Sequence, residues 1–559
     1  MSGRDRRLNV TLCKQPAKII KDGDKIYLEA PPTGLLINEV SEMEGGRHQG
    51  GRLFVVKDTP RNWFTLDILT GGVINGWSKR YTKDASPAVP YQPKRAGGWQ
   101  HQHKMASFML TRLQDINAGE MGTGKTFALF ETIDFARDRL GLREGVMWWC
   151  APKSALTSLE TQMQKWKFYI RGNDRIFNYH RLEREMEDAS DWPQIVIFDE
   201  SDALKIPSSR RTQLAIQLAI NMDVRWGDRC MRHLCSGSPQ PESYFDWWSQ
   251  CEIARPGWLR EASRAKFERR LAVFSFNDRP GGGVYPVFDK WKEPEIKILP
   301  NRLDGLVLPV WKKDCMDLPE KVYETISLLP STATLRVARH LARTVSRAKL
   351  QQKLRQLSDG FLYVDTSAGD EDVEDETDTS SVDLATGRVQ IAETPKDQLL
   401  KDLLETYSPQ KRLVVYAAYQ ASVDRVSRIA AAEGWKVWQY DGRGQLGGIN
   451  EDQFNDHASS QERICFVGNP DSAGKGLTLS GSPAIFYFSN SFKGVSRTQS
   501  EDRIQRPGAT QERGCKIIDC VHLPTDLKVI EAVKQKRNIE RVSLEDVLRL
   551  LEGGREELQ

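Results

Sequence analysis

A lysine, a threonine and a run of glycines at fixed offsets carry the first recognisable chemistry in this chain. Ala118-Gly119-Glu120-Met121-Gly122-Thr123-Gly124-Lys125-Thr126 fits the spacing of a glycine-rich phosphate loop, with lysine and hydroxyl in place. Glycines let successive backbone N–H groups turn toward phosphate oxygens, so Gly119, Met121, Gly122, Thr123 and Gly124 are the expected cradle. Lys125 can reach the β- and γ-phosphates and the Thr126 hydroxyl can ligate Mg²⁺, which makes ATP and Mg²⁺ the expected cofactors. Farther along, Ile195-Val196-Ile197-Phe198 runs into Asp199-Glu200, an apolar strand ending in adjacent acids. Asp199 suits the metal, and Glu200 suits the positioning of an attacking water. Adjacent acids after a strand can also simply cap the next helix. Upstream of the loop, a glutamine amide offers the donor and acceptor that an adenine edge requires; Gln102 is the candidate and Gln100 competes. Ser236-Gly237-Ser238 follows the short strand Arg232-His233-Leu234-Cys235. Such small hydroxyl residues can bond neighbouring acids and couple nucleotide state to movement.

These residues need elements to hold them. After the loop, Phe127, Phe130, Ile133 and Ala136 recur at helical spacing, so a helix over 126–140 would aim its N-terminus at the phosphates. Val146-Met147-Trp148-Trp149-Cys150 reads as a buried strand broken by Pro152, and the loop after such a strand is where α/β sheets bind ligands. Before the phosphate loop, by contrast, Arg112-Leu113-Gln114-Asp115-Ile116-Asn117 makes a poor buried strand.

The chain has 559 residues, too many for one core, and 39% of them are hydrophobic, enough for globular packing. No apolar run reaches membrane-span length and Met1 to Arg7 leads into no apolar signal region, so a soluble, intracellular protein is expected. The nine cysteines lack paired CxxC spacing and read as reduced thiols. A formal charge of +4, from 80 basic and 76 acidic residues, does not by itself point to nucleic acid.

In order, residues 1–90 read as a small β-rich unit, with strands at Lys18-Ile19-Ile20, Lys25 to Glu29 and Arg52 to Lys57 and a helix from Trp63 to Leu69. Pro87, Pro90 and Pro93 mark a linker. Residues 91–310 form a first α/β domain and 311–559 a second, beginning its alternation at Lys411 to Ala417. An acidic insertion at about 362–395, with seven acids between Asp370 and Asp378, is expected to be disordered. Gly474 and Gly476, in Ser472-Ala473-Gly474-Lys475-Gly476-Leu477-Thr478-Leu479, would allow close approach of backbone to phosphate. Asp526 to Gln535 and Ser543 to Leu551 look like closing amphipathic helices.

Together these segments resemble the superfamily-two helicases, and within them the Swi/Snf-type double-stranded DNA translocases. Ala151-Pro152-Lys153-Ser154 matches the family's APxS element, and Asp199-Glu200 with Lys205 matches DEAHxxKN, with Asp202 for the usual histidine and Ile206 for asparagine. Asp317-Leu318-Pro319-Glu320-Lys321 matches DLPxK, though Lys312-Lys313 replaces the preceding arginine pair. Ser472 to Leu479 matches AGxGLNL, and Gln499 to Gly508 matches QAxDRxHRxGQ at its glutamine, aspartate, two arginines and glycine. The resemblance implies an α/β fold of two tandem RecA-like parallel-sheet domains with ATP between them, behind the small β-rich N-terminal domain. It implies Arg506 as the arginine finger with Arg503 its companion, Ser236, Gly237, Ser238, Gly474 and Gly476 as coupling residues, and Lys153 and Ser154 as DNA contacts. Pro31, Gly46-Arg47 and Thr59-Pro60-Arg61-Asn62 further resemble the HARP module of annealing helicases, which adds Arg47 as a DNA contact. The implied activity is sequence-independent, ATP-driven remodelling or annealing of duplex or branched DNA in replication, recombination or repair. The alternatives are a strand-separating helicase and a non-enzymatic DNA scaffold.

Overall fold

The computed structural model describes residues 18–534 except 72–73, 75, 143–144, 238–242, 279–282, 364–378, 384–387, 392–393, 457–460, 472–476, 491–493, 507–508 and 510–513. It divides into two compact units, at Cys315 and Met316.

In the first unit, β1 (Lys18–Asp22), β2 (Lys25–Glu29), β3 (Arg47–Gly50) and β4 (Leu53–Lys57) form an antiparallel sheet of order β1-β2-β4-β3. Alternation along β2 sends Ile26 and Leu28 inward, where they meet Phe54 and Val56 of β4 and Leu36 and Val40 of the helix Gly34–Glu42. The helix Pro60–Leu69 begins with proline in its first turn and the Thr59 hydroxyl accepting from the Asn62 N–H at 3.2 Å. It is buried on two sides: Leu66 and Leu69 join the small sheet, while Phe64 and Ile68 enter the core of the larger one. Arg61 on this helix is paired with Glu252 at 2.8 Å and donates to the Glu261 carbonyl. The Arg255 guanidinium lies 4.0 Å from the Phe64 ring centroid. The small sheet is thus joined to the larger one through a shared helix and a buried ion pair.

That larger sheet contains β5 (Gln114–Gly119), β6 (Met147–Ala151), β7 (Arg175–Asn178), β8 (Ile195–Asp199) and β9 (Met231–Cys235). An outlying hairpin follows, β10 (Ala272–Asp278) with β11 (Val284–Trp291), and then β12 (Val307–Val310) completes the sheet. Its order is β12-β5-β9-β8-β6-β7 with every pair parallel. Separate hydrophobic cores cover its two faces, so its strands are buried on both sides as parallel strands must be.

The strand that looked weakest in the sequence, β5, is flanked on both sides and buried. Two of its polar residues find partners from distant parts of the chain, and the third bonds within its own turn. Asp115 Oδ2 lies 2.8 Å from His233 Nδ1, the Gln114 amide oxygen accepts from Arg255 at 2.5 Å, and Asn117 Oδ1 accepts from the Gly119 N–H at 3.1 Å. The expected linker is likewise a strap on the helix Lys125–Arg139. The buried Glu131 carboxylate accepts from the Tyr91 hydroxyl at 3.0 Å, from the Lys94 N–H at 2.7 Å, and from the Arg95 N–H and guanidinium at 3.1 and 2.9 Å.

The second unit is built on β13 (Lys321–Ser327), β14 (Phe361–Tyr363), β15 (Thr379–Asp383), β16 (Arg388–Ile391), β17 (Arg412–Tyr416), β18 (Lys436–Asp441), β19 (Gly444–Leu446), β20 (Ile464–Gly468), β21 (Ala484–Tyr487) and β22 (Cys515–Val521). Its main sheet runs β13-β22-β21-β17-β20-β18-β19, parallel except at the β18–β19 edge. The expected α/β class, with two largely parallel sheets beside a small N-terminal sheet, is therefore the class observed. Within the segment 362–395, the described residues pair as strands: β14, β16 and β15 form a three-stranded antiparallel sheet. Thr379-Ser380-Ser381-Val382-Asp383 and Arg388-Val389-Gln390-Ile391 carry β-branched residues that favour pairing over coil. Asp370 to Asp378 and Ser543 to Leu551 lie outside the described residues. Among those described, no helix is long and apolar enough to cross a membrane.

Candidate nucleotide site

The phosphate loop has the local structure its glycines predict. β5 ends at Gly119, the chain turns through Glu120–Gly124, and a helix begins at Lys125. Gly124 caps that helix at φ 84°, in the left-handed region, and a Cβ there would come within 2.0 Å of Gln102 Nε2. Lys125 is folded back: its ammonium donates to the carbonyls of Gly119 at 2.8 Å and Glu120 at 3.3 Å. The Thr123 hydroxyl donates to the Glu120 carbonyl at 2.8 Å, and Thr126 stands half-buried in the first turn. The Gln102 amide is engaged with backbone, accepting from the Trp99 N–H at 3.0 Å and donating to the Thr123 carbonyl at 3.4 Å. In this arrangement Gln102 ties its own helix to the loop. His101 Nε2 reaches the same carbonyl at 2.9 Å.

Asp199 closes β8 and Glu200 follows at φ 51°, a left-handed conformation that a non-glycine residue adopts only at a cost. The turn is held from below by the Tyr179 hydroxyl, which donates to the Asp199 carbonyl at 2.7 Å. Burial and the adjacent Glu200 charge push the Asp199 carboxyl up to about 7, against the pull of the Lys125 ammonium. Glu200 Oε2 is buried with no hydrogen-bond partner among the described residues. One edge of the site is thus a pair of poorly neutralised carboxylates, and the other is a lysine resting on carbonyls.

Beyond β9, buried Ser236 donates its N–H to the Asn117 carbonyl at 3.2 Å, and Gly237 abuts the phosphate loop so closely that a Cβ would lie 2.8 Å from Met121 Cγ. Of the coupling candidates, Gly237 is therefore in contact with the phosphate loop, and Ser236 is bonded to the strand that leads into it. Ser238 lies outside the described residues, as do Gly474 and Gly476. Sequence reasoning missed the floor beneath them: Asp115 and His233, both fully buried, pair across β5 and β9. It also missed Glu131 and Tyr179, since nothing in spacing marks a residue that acts only by supporting others.

In the second unit the two arginines of the Gln499–Gly508 segment differ. Arg503 is wholly buried and donates to the Leu477 carbonyl at 2.8 Å, while its own carbonyl accepts from the Leu479 N–H. Arg506 is half-buried; its guanidinium donates to Thr478 Oγ1 at 3.2 Å and to the Asp502 carbonyl at 3.3 Å. Glu451 accepts from the Thr478 N–H at 2.7 Å, and burial raises its carboxyl above the ordinary range. Lys321, from the Asp317-to-Lys321 segment, is paired with Asp502 at 2.8 Å and Glu501 at 3.2 Å. Two segments separated by 180 residues are thereby held together. Lys153 is exposed at the start of the helix Lys153–Lys165, and Arg47 is exposed on β3; the side chain of Ser154 lies outside the description.

No protein-family model and no curated protein matches this chain. Solved structures similar to it include the Sulfolobus solfataricus SWI2/SNF2 ATPase core in complex with dsDNA, at 16% identity and a TM-score of 0.35, covering 83% of this chain and 98% of that one. The ATPase core domain from the same organism is also similar, at 15% identity and a TM-score of 0.35, covering 82% and 93%.

Proposed function

We propose that this chain is an ATP-dependent DNA translocase that remodels or anneals duplex and branched DNA. The observation that carries the ATPase reading is the meeting of a phosphate loop and a folded-back Lys125 after β5 with two under-neutralised carboxylates at the end of β8, one strand away across β9. A triphosphate offers Lys125 better acceptors than two carbonyls, so the ammonium exchanges Gly119 and Glu120 for phosphate oxygens. Asp199 and Thr126 would hold Mg²⁺, which supplies charge neutralisation on the phosphates. The donor set fits: one half-buried carboxylate and one hydroxyl leave the remaining positions to phosphate and water, as Mg²⁺ prefers. Glu200, with an unpartnered oxygen, orients and deprotonates the attacking water. The match of Gln499 to Gly508 to the family motif gives Arg506 the role of finger on a γ-phosphate oxygen, and buried Arg503, bonded to the Leu477 carbonyl, keeps the segment in shape. Gly237, pressed against Met121, and Ser236, bonded to the strand before the loop, sense whether the loop is filled.

DNA enters this proposal through the motif series from Ala151 to Gly508, and the HARP-like start favours branched substrates. ATP turnover of the full chain against double-stranded, single-stranded and forked DNA tests it. Turnover should be low alone and rise at least about ten-fold with duplex or forked DNA, a small part of the roughly thousand-fold or more that a positioned arginine can supply. Turnover indifferent to every DNA would overturn the translocase reading and leave an ATPase of another kind.

A further inference from the structure

The loop between the helix Lys153–Lys165 and β7 plays no part in the site above, yet it is built with care. Trp166 is fixed by its carbonyl, which accepts from Arg95 Nε at 2.8 Å. The Phe168 N–H donates to the Met163 carbonyl at 2.9 Å, and the Phe168 ring stacks on Phe130 with centroids 4.4 Å apart and planes 14° from parallel. At the far end, Asp174 accepts from the Arg171 N–H at 2.7 Å, the Arg137 guanidinium at 2.6 Å and the Met147 N–H at 2.8 Å. Lys167 is held at φ 51°. Both ends are thus locked into the core, and one residue bears backbone strain to shape the loop.

What the loop displays is Tyr169, 72% exposed, and Ile170, 55% exposed. On either side stand Lys165, Lys167 and Arg171. Neither lysine makes an ion pair among the described residues; Lys165 rests 5.3 Å over the Trp166 ring. Arg171 is offset in part by Asp138 at 3.6 Å and Asp134 at 3.9 Å. An exposed aromatic ring on a loop anchored at both ends, preceded by two lysines without ion pairs among the described residues, is an arrangement that suits single-stranded nucleic acid: the ring stacks on a base and the cations meet neighbouring phosphates. A duplex buries its base faces, so it offers the ring nothing to stack on.

We propose that residues Lys165–Arg171 form a contact for single-stranded DNA, with Tyr169 as the stacking platform and Lys165 and Lys167 as the phosphate ligands. The inference rests on the reading of the chain as a DNA-acting enzyme, and gives it a hold on an unpaired arm at a branch. The test is fluorescence anisotropy of a labelled thymidine homopolymer with the full chain in the absence of nucleotide. Tyr169→Ala should weaken binding about five-fold or more, whereas Tyr169→Phe, which keeps the ring, should bind like the parent. Lys165→Ala with Lys167→Ala should lower the slope of log affinity against log salt by about 1.4, or 0.7 for each single-strand phosphate contact. Duplex-stimulated ATP turnover and melting temperature should be unchanged in all three. Unchanged homopolymer binding by Tyr169→Ala overturns the proposal; so does displacement of the strand by polyglutamate as readily as by unlabelled DNA, which would mark an acidic-peptide site. Failure of the motor reading shows separately, as wild-type turnover indifferent to DNA.

Discussion

The two units hold the charged residues of their motif segments in opposite ways. In the first, the candidate chemistry stands bare: Glu200 has a buried oxygen without a partner among the described residues, and Asp199 sits beside it with its ionisation suppressed. In the second, the charges are tied: Lys321 to Asp502, Arg497 to Asp519 at 2.5 Å, and Arg503 to the Leu477 carbonyl. Arg497 also lies 3.5 Å from the Tyr487 ring centroid. A site whose charges await a ligand is destabilising until that ligand arrives, whereas a set of satisfied charges is part of the fold. The first unit's candidate catalytic residues should therefore be separable from stability, and the paired charges of the second unit's motif segments should not.

The largest effect expected is in the first unit. Glu200→Gln should lower kcat by about a hundred-fold or more while ATP affinity holds, because the amide keeps the shape but cannot take a proton. Its melting temperature should equal or exceed the parent's, since a bare buried carboxylate is gone. Lys125→Ala should instead lose ATP binding. Single-turnover hydrolysis with nucleotide titration checks both, and a Glu200→Gln enzyme with ordinary kcat would remove the glutamate from the chemistry.

The second unit sharpens the contrast within one segment. Arg503→Ala leaves a buried void and an orphaned Leu477 carbonyl and should cost about 3 kcal/mol of stability. Arg506→Ala should leave melting temperature and ATP affinity almost unchanged, yet reduce DNA-stimulated kcat by about a hundred-fold. Arg506→Lys should restore little, for an ammonium cannot span two oxygens as a planar fork does. Thermal melts beside steady-state kinetics separate the pair. Equal loss of stability in both variants would erase the distinction drawn between them.

The smallest effect concerns pH. Asp199 titrates near 7 in the folded chain against an ordinary 3.8, so the folded state holds the extra proton between those values. Stability of the first unit should then fall as pH rises through that window. Asparagine cannot ionise, so Asp199→Asn should melt higher than the parent by about 5 °C at pH 8, with the gap closing toward pH 4, while hydrolysis is lost. A gap that does not vary with pH would place the carboxylate in an ordinary, well-solvated environment.

Strands with apolar runs were legible in the sequence: β6, β8, β17 and β20 each carry enough β-branched or aromatic residues to be recognised. The phosphate loop and acid pair were legible because phosphate chemistry demands particular residue types at particular spacings. β5 was not, since hydropathy scores Asp115, Asn117 and Gln114 as though water were their only partner. The strap from Tyr91 to Gly98 looked like a linker for the same reason: its proline and basic content is that of a solvated chain until Glu131 is opposite it. Arg503 and Arg506, three residues apart, were expected to work together, and only burial distinguishes the strut from the half-exposed side chain.

By itself, then, the sequence determined the alternation of strand and helix, the nucleotide loop, and the acids and arginines that could act on a phosphate, because short-range geometry and residue chemistry dictate those. Only the tertiary structure decided that a polar strand belongs in the sheet's interior, that Gly237 touches Met121, and that Tyr169 is held out into solvent while Phe168 beside it is buried. Those outcomes depend on which groups from distant parts of the chain arrive to meet a buried donor, acceptor or ring. Residue spacing carries no record of that.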